Sequence, residues 1–328
     1  MLSLYRLNFL SKSTPVRGYT LFGAVCWIYR LIGGDLEKLL NDFNNDNPPF
    51  IISSPFPLAG SDNGYSLVFP KPILLISDKV EKDERICEKI NRKPVKKAKY
   101  VSFDVFKRIV ESEIKEGKVL GYTEEFKETR SVIVHKNGKA LFEDFSSLSV
   151  RNILNRVTMK SDNLFTEEYY LFSDRWFLVK FYDSGFKPVL EECFKLIEDT
   201  GLGANKNLGW GSVKIEPLKG FDEEVEYLDR KVKRANKFIT LSPVIPKEES
   251  LDIDDSTYEY EIYKSPIDTT FGETLIWKKK VLYLKEGSVL KRRGNGGWVG
   301  HVKDVGAEDL GVKAYQYGYE FPVALGGE

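Results

Sequence analysis

The sequence predicts an α+β fold, and three observations carry that prediction. The chain opens with an alternating segment, a polar basic connection and a run of helical periodicity, an order in which many small α+β domains begin. A helix, a glycine-rich loop and a strand follow one another between residues 189 and 216. Beyond residue 217 the segments read almost entirely as strands, so the chain divides into domains 1–216 and 217–328.

In order, Leu2-Ser-Leu-Tyr-Arg-Leu-Asn-Phe-Leu alternates apolar and polar residues and reads as a strand. Ser11 to Gly18 is a polar connection carrying Lys12, Pro15 and Arg17. Tyr19 to Ile32 reads as a helix, with Leu21, Phe22, Val25, Ile28, Tyr29 and Ile32 apolar and Gly33-Gly34 at its end. A short helix, Asp35 to Phe43, follows. Phe50 to Leu58 and Tyr65 to Ile73 read as strands whose prolines favour sheet edges and turns. Lys89 to Lys99 carries six cations and reads either as a solvated loop or as a contact surface. Val101 to Ile114 reads as a helix with Phe103, Phe106, Ile109 and Val110 on one side.

Residues 130–135 read as a short strand, with Asn137-Gly138 as a turn. Arg151 to Lys160 begins another segment, with Arg151, Arg156 and Lys160 pointing from a strand and the hairpin after it. The run Asn163 to Phe172 is expected to pair with Trp176 to Tyr182 as a hairpin, its aromatics in the core. Phe221 to Lys237 passes from acidic to basic. The remaining strand candidates begin at Phe238, Tyr258, Lys280 and Tyr315, with a second glycine-rich turn at Arg293-Gly-Asn-Gly-Gly-Trp.

The segment that carries chemistry is Gly201-Leu-Gly-Ala-Asn-Lys-Asn-Leu-Gly-Trp-Gly. Its glycines permit backbone conformations that a Cβ disfavours and leave amides uncovered, and amides beside one cation, Lys206, suit a phosphate. Val189 to Thr200 upstream is an amphipathic helix bounded by Pro188 and Gly201. Downstream, Val213 and Ile215 take one face of a strand and Trp210, Ser212, Lys214 and Glu216 the other. A Walker loop or dinucleotide fingerprint needs strand, loop, helix, with phosphate on the helix N-terminus. This loop lies at a helix C-terminus, where the dipole opposes an anion. Two readings stay open: a surface that tracks a nucleic-acid backbone, and a flexible connector.

Composition narrows the function classes. Lys plus Arg and Asp plus Glu number 49 each, so no global field holds a polyanion and any RNA contact must be local. The three cysteines, Cys26, Cys87 and Cys193, form no CxxC pair and fit a reducing cytoplasm. Met1 to Leu10 lacks the pattern of a targeting signal, and the longest apolar run, Ala24 to Tyr29, is far below the ~18 residues of a membrane span. The expectation is a cytoplasmic protein with no membrane contact. One glutamine beside heavy Lys and Glu use leans towards a thermophilic source. His135 and His301 are the only histidines, no metal-ligand spacing or catalytic motif is present, and neither a metal nor a cofactor is expected.

With these pieces in place, the chain resembles the RAMP superfamily of CRISPR effector proteins, whose ferredoxin-like (RRM-like) domains carry a glycine-rich loop between the last helix and last strand. Thr20-Leu-Phe-Gly-Ala-Val-Cys, Ser53-Ser-Pro-Phe-Pro, Phe69-Pro-Lys-Pro, Leu241-Ser-Pro, Glu286-Gly-Ser-Val and Tyr315-Gln-Tyr-Gly-Tyr-Glu-Phe-Pro-Val resemble, in order, the motifs of one branch, the fourth subunit of the type III-A (Csm) interference complex. Arg151-Asn-Ile-Leu-Asn-Arg-Val-Thr resembles a RAMP stretch that usually ends Asp-Arg-Val-Thr, with Asn155 replacing the acid. The resemblance implies two ferredoxin-like domains, the second degenerate and strand-rich. It also implies a non-catalytic subunit that holds the 5′ handle of the CRISPR RNA and contacts the large polymerase-like subunit and a backbone RAMP subunit. The candidate RNA-binding residues are Gly201, Gly203, Asn205, Lys206, Asn207, Gly209 and Gly211, with Arg17, Arg151, Arg156 and Lys160 lining the path.

Two alternatives differ in class. A repeat-cleaving endoribonuclease of the same superfamily would carry its glycine loop close to the C-terminus and commonly a histidine near the first helix. Here more than a hundred residues follow the loop and no histidine precedes His135. A structural adaptor without RNA contact would use its basic clusters as solvated faces.

Overall fold

Alternation in the first residues makes the first strand. β1 (Leu2–Phe9) buries Leu2, Leu4, Tyr5 and Leu7. Helix α1 (Gly18–Leu31) buries Leu21, Phe22, Val25 and Ile28, the three-and-four spacing read from the sequence. The Asp35 side chain accepts from the Lys38 amide at 2.9 Å and so caps α2 (Leu36–Asn44). The computed structural model describes residues 1–62, 64–73, 97–111, 126–129, 131–135, 137–154, 157–267, 276–294, 297–307, 311 and 313–326. Most of the basic run at 89–99, together with Asn155 and Arg156, lies outside the described residues.

The chain continues through β2 (Phe50–Ile52), β3 (Phe56–Ser61), β4 (Gly64–Pro70), β5 (Tyr100–Ser102), α3 (Phe103–Val110), β6 (Phe126–Thr129) and β7 (Val132–His135). The helix expected from Val101 starts only at Phe103, because residues 100–102 are a strand paired to both β4 and β7. Next come β8 (Phe145–Leu154), β9 (Ser161–Leu171), β10 (Arg175–Phe181), α4 (Phe186–Thr200) and β11 (Val213–Pro217). The acidic-to-basic stretch contains α5 (Asp222–Lys231), a helix the sequence reading did not identify. Its three acids in the first turn and two cations in the last match the helix dipole. The described residues thus hold five α-helices in a strand-rich α+β fold.

Nine strands form the main sheet, in the order β11-β1-β10-β3-β4-β5-β7-β6, with β2 also paired to β10. Among the described strands of this sheet, only β5 and β7 pair in parallel. At its centre, Trp176, Phe177, Leu178 and Val179 of β10 are all fully buried. The proline-marked strands are not edges, contrary to expectation: β3 and β4 lie inside the order. The prolines are tolerated because β10 changes partner from β2 to β3 across Ser53-Ser54-Pro55. There the Ser53 hydroxyl accepts the Leu178 amide at 2.9 Å, so a side chain bridges the gap in the ladder.

The expected hairpin between 163–172 and 176–182 is also corrected. β9 pairs with β8 along its whole length, Phe145 opposite Leu171 and Arg151 opposite Phe165, while β10 joins the main sheet. The hydrophobic continuity of β10 belongs to a strand buried on both faces, and it takes the central place. β8 and β9 instead form a separate two-stranded arm whose apolar side chains do not all reach the core: Leu148, Val150, Leu154 and Leu164 are more than half exposed.

Beyond residue 217 the strands are β12 (Lys237–Thr240), β13 (Leu251–Thr257), β14 (Tyr260–Tyr263), β15 (Val281–Leu284), β16 (Val289–Arg292), β17 (Lys303–Asp304), β18 (Tyr315–Gln316) and β19 (Pro322–Ala324). They build a four-stranded sheet, β13-β16-β12-β19, and the pairs β14–β15 and β17–β18. One hydrophobic cluster runs through both parts of the chain, from Leu4 and Phe22 to Ile239, Leu241 and Tyr317. Phe22 stacks on Tyr317 at 4.7 Å, and the Tyr317 hydroxyl accepts the Ile52 amide at 3.1 Å.

β16, which leads into the second glycine-rich stretch, pairs with β12 and β13. At its end Arg292 forms a 2.8 Å ion pair with the fully buried Glu320 and donates to the carbonyls of Ala235 and Gly297. Glu320 also accepts the amides of Val299 and Gly300.

Candidate nucleic-acid interface

Helix α4 buries Leu190, Cys193, Phe194 and Ile197 and ends where the Gly201 amide returns to the Ile197 carbonyl at 2.8 Å. The loop after it is not a slack connector. Gly201, Gly203, Asn205, Gly209 and Gly211 all take positive φ, between 60° and 89°. Leu202 is fully buried, and its amide donates to the Gly211 carbonyl at 2.8 Å, closing the loop at its neck. A Cβ on Gly211 would lie 2.0 Å from the Leu202 carbonyl oxygen, so only glycine fits that neck.

The polar connection after β1 braces the loop from below. Gly211 N–H donates to the Lys12 carbonyl at 2.7 Å, Ser212 N–H to Ser11 Oγ at 3.0 Å, and Ala204 N–H to Thr14 Oγ1 at 3.2 Å. Inside the loop, Lys206–Leu208 makes one 3₁₀ turn with Asn205 in the left-handed region before it. The backbone N–H groups of Gly203, Asn205 and Asn207 have no acceptor among the described residues. Asn207 and Gly209 are exposed, and Lys206 is half-buried.

The β8–β9 arm forms the other wall. Its register places Arg151, Glu167 and Tyr169 on one face, and that face meets the loop. The Arg151 guanidinium lies over the Trp210 ring, 4.7 Å from its centroid, and Tyr169 meets the same ring edge-on at 6.0 Å. Arg151 Nη1 is 3.2 Å from Glu167 Oε2, and the Asn205 side-chain amide donates to Glu167 Oε1. Lys12 Nζ sits 4.1 Å above the Tyr169 ring. Ser13 and Tyr170 exchange both backbone hydrogen bonds at 2.9 Å. At the root of the arm, Arg175 pairs with Asp144 and lies against the Phe142 and Phe172 rings.

The structure therefore brings together Gly201 to Gly211 and Arg151, and adds Lys12, Glu167, Tyr169 and Trp210, which the sequence reading did not place in the site. Strand alternation would have pointed to Glu167 and Tyr169 had the pairing of β9 been read correctly. Lys160 is exposed in the connection between β8 and β9, at the far end of the arm and nine residues beyond Arg151 in the chain. Arg156 lies outside the described residues. Arg17 is elsewhere: before α1 it pairs with Glu261 and lies 3.6 Å from Glu286, whose carboxylate also accepts from Ser54. It ties α1 to the C-terminal part of the chain. The histidines lie on separate elements, His135 at the end of β7 and His301 with Nδ1 3.1 Å from the Ile245 carbonyl.

The resulting surface offers amides that have no acceptor among the described residues, the loop cation Lys206, two further cations in Lys12 and Arg151, and aromatic rings already stacked under cations. Such a surface suits a single-stranded phosphate backbone. Among the described residues, no helix is long and apolar enough to cross a membrane.

Comparison with known proteins follows the same lines. Residues 8–214 match the family model of the RAMP superfamily, and residues 233–325 match that of the CRISPR Csm4 C-terminal domain. No curated protein sequence matches the chain. Among solved structures, a chain of the Csm3–Csm4 subcomplex in the type III-A CRISPR-Cas interference complex is similar at 18% identity and a TM-score of 0.60, over 99% of this chain and 100% of that one. A chain of the Csm1–Csm4 cassette in complex with cA4 is similar at 17% identity and a TM-score of 0.56, over 100% of both chains. The chain belongs to the RAMP superfamily and is a Csm4-like member of it.

Proposed function

We propose that this chain is a non-catalytic RNA-binding subunit of a cytoplasmic type III-A CRISPR effector, holding the 5′ repeat-derived handle of the CRISPR RNA. The observation that carries the reading is the junction of the glycine loop with the β8–β9 arm. Lys12 and Arg151 meet there, on the rings of Tyr169 and Trp210, beside the loop that carries Lys206 and the amides of Gly203, Asn205 and Asn207. A backbone fixed by left-handed residues at Gly203 and Asn205 and by the 3₁₀ turn at Lys206–Leu208 holds those amides without a further ordering cost when a phosphate arrives.

Two further points support the architecture proposed. The order β11-β1-β10-β3, with α1 after β1 and α4 before β11, is that of a ferredoxin-like βαββαβ unit, which fits an N-terminal domain of residues 1–216. The strand-rich remainder, 217–328, then reads as a degenerate second unit. The solved relatives come from Csm3–Csm4 and Csm1–Csm4 assemblies, which supports contacts with a backbone RAMP subunit and with the large polymerase-like subunit.

Photocrosslinking guide RNA in the assembled complex tests the reading. Crosslinks to peptides holding Trp210 and Tyr169 are expected. Their absence favours an adaptor without RNA contact. Incubation of the purified chain with labelled repeat RNA should leave the RNA intact, and specific cleavage would replace the holding role with that of a processing endoribonuclease.

A further inference from the structure

Glu167 stands out inside the interface described above. It contributes a negative charge where the surroundings otherwise present cations and N–H groups. One carboxylate oxygen takes Arg151 Nη1 at 3.2 Å, and the other takes the side-chain amide of Asn205. Arg151 comes from one wall of the site and Asn205 from the other, so the two oxygens bridge the arm and the loop as two oxygens of one phosphate would. All three side chains remain within reach of solvent: Arg151 is 21% and Glu167 29% exposed, and Asn205 is half-buried.

We propose that Glu167 is a specificity-determining residue that acts as an internal stand-in for an RNA phosphate. In the free chain its carboxylate satisfies Arg151 and Asn205 and holds the two walls in register. A bound strand must take over those donors and tolerate the neighbouring charge. Only an RNA that makes additional contacts elsewhere on the surface does so at low concentration, and short unspecific polyanions are disfavoured. This inference rests on the RNA-holding reading of the site.

The register of the arm supplies an internal control. Glu168 is the adjacent residue and carries the same charge, but strand alternation puts it on the opposite face with Leu148. Glu168→Gln changes the net charge as much as Glu167→Gln and leaves Arg151 and Asn205 untouched.

The test is a filter-binding titration of the full chain with labelled handle RNA and with an oligo-uridine of equal length. Glu167→Gln should bind the handle about three- to tenfold more tightly, from loss of one repulsion at close range. It should gain more for oligo-uridine than for the handle, so that discrimination narrows, whereas Glu168→Gln should stay near wild type for both. Thermal unfolding checks that both variants fold. Weaker or unchanged binding by Glu167→Gln overturns the proposal, as does an equal gain in Glu168→Gln. If the wild type binds the handle and only the gain is missing, the inference falls alone. If neither wild type nor variants bind RNA, it falls together with the RNA-holding reading.

Discussion

The Arg151 guanidinium rests on the Trp210 indole, 4.7 Å from the ring centroid, and joins an arm of the fold to a loop that begins nearly fifty residues later. Trp210 also meets Tyr169 and is 7% exposed, so one side chain organises the junction. Trp210→Ala should cost about 3–5 kcal/mol of stability, the range for removing a buried tryptophan. Trp210→Phe should cost less. Chemical denaturation measures both, and equal losses would mean that the ring stacking is not what holds the arm.

Two glycines of the loop separate backbone conformation from packing. Gly209 has a φ of +79° and open space around a Cβ, whereas Gly211 has a φ of +72° and would place its Cβ 2.0 Å from a carbonyl oxygen. Gly209→Ala should cost about 1–2 kcal/mol, the left-handed penalty of an L-residue. Gly211→Ala should cost at least about 2 kcal/mol more, since the backbone must shift as well. Urea titrations of the two variants read the difference.

The buried pair Arg292–Glu320 secures the second glycine-rich stretch. Glu320→Leu removes the counter-charge of Arg292 and the acceptor of two amides at once. The expected loss is about 3–5 kcal/mol, with amide exchange at 297–300 rising ahead of the main sheet. A loss below about 1 kcal/mol would contradict the assignment.

His301 gives a pH dependence with a definite sign. Burial lowers its pKa from the ordinary value, and the lysines Lys247 and Lys303 add to that against the hydrogen bond to Ile245. The unfolded chain therefore takes up this proton at a higher pH than the folded chain. The contribution to stability is present above the unfolded pKa, ~6.5, and is lost as pH falls through the folded value. His301→Gln should flatten the decline in urea midpoint between neutral and mildly acidic pH, and an unchanged slope would exclude His301 as its source.

Much of the fold was legible in the sequence because local periodicity and burial agree there. The spacing of Leu21, Phe22, Val25 and Ile28, the alternation around Val213 and Ile215, and the boundary at Gly201 all survive in the structure. What periodicity does not carry is partner choice. Asn163 to Phe172 alternates equally well against β10 or β8, and the choice is made by the wholly apolar run of β10, which needs the sheet centre. The prolines before β3 suggested an edge because the bridging role of Ser53 is a long-range hydrogen bond invisible in sequence. For the site, the glycines and Lys206 announced themselves by type, and Arg151 joined them. The charge of Arg17 alone suggests an RNA contact, whereas its partners Glu261 and Glu286 lie more than two hundred residues away. Lys12, Glu167 and Tyr169 gain meaning only when the arm is folded against the loop.

The holding role of the glycine loop is tested most directly by the salt dependence of handle binding in Lys206→Ala. A filter-binding series over several salt concentrations gives affinity and the slope of log K against log salt. The expected result is weaker binding at low salt and a slope shallower by about 0.7, the loss of one phosphate contact on a single strand. Unchanged affinity together with an unchanged slope would contradict a phosphate-holding loop.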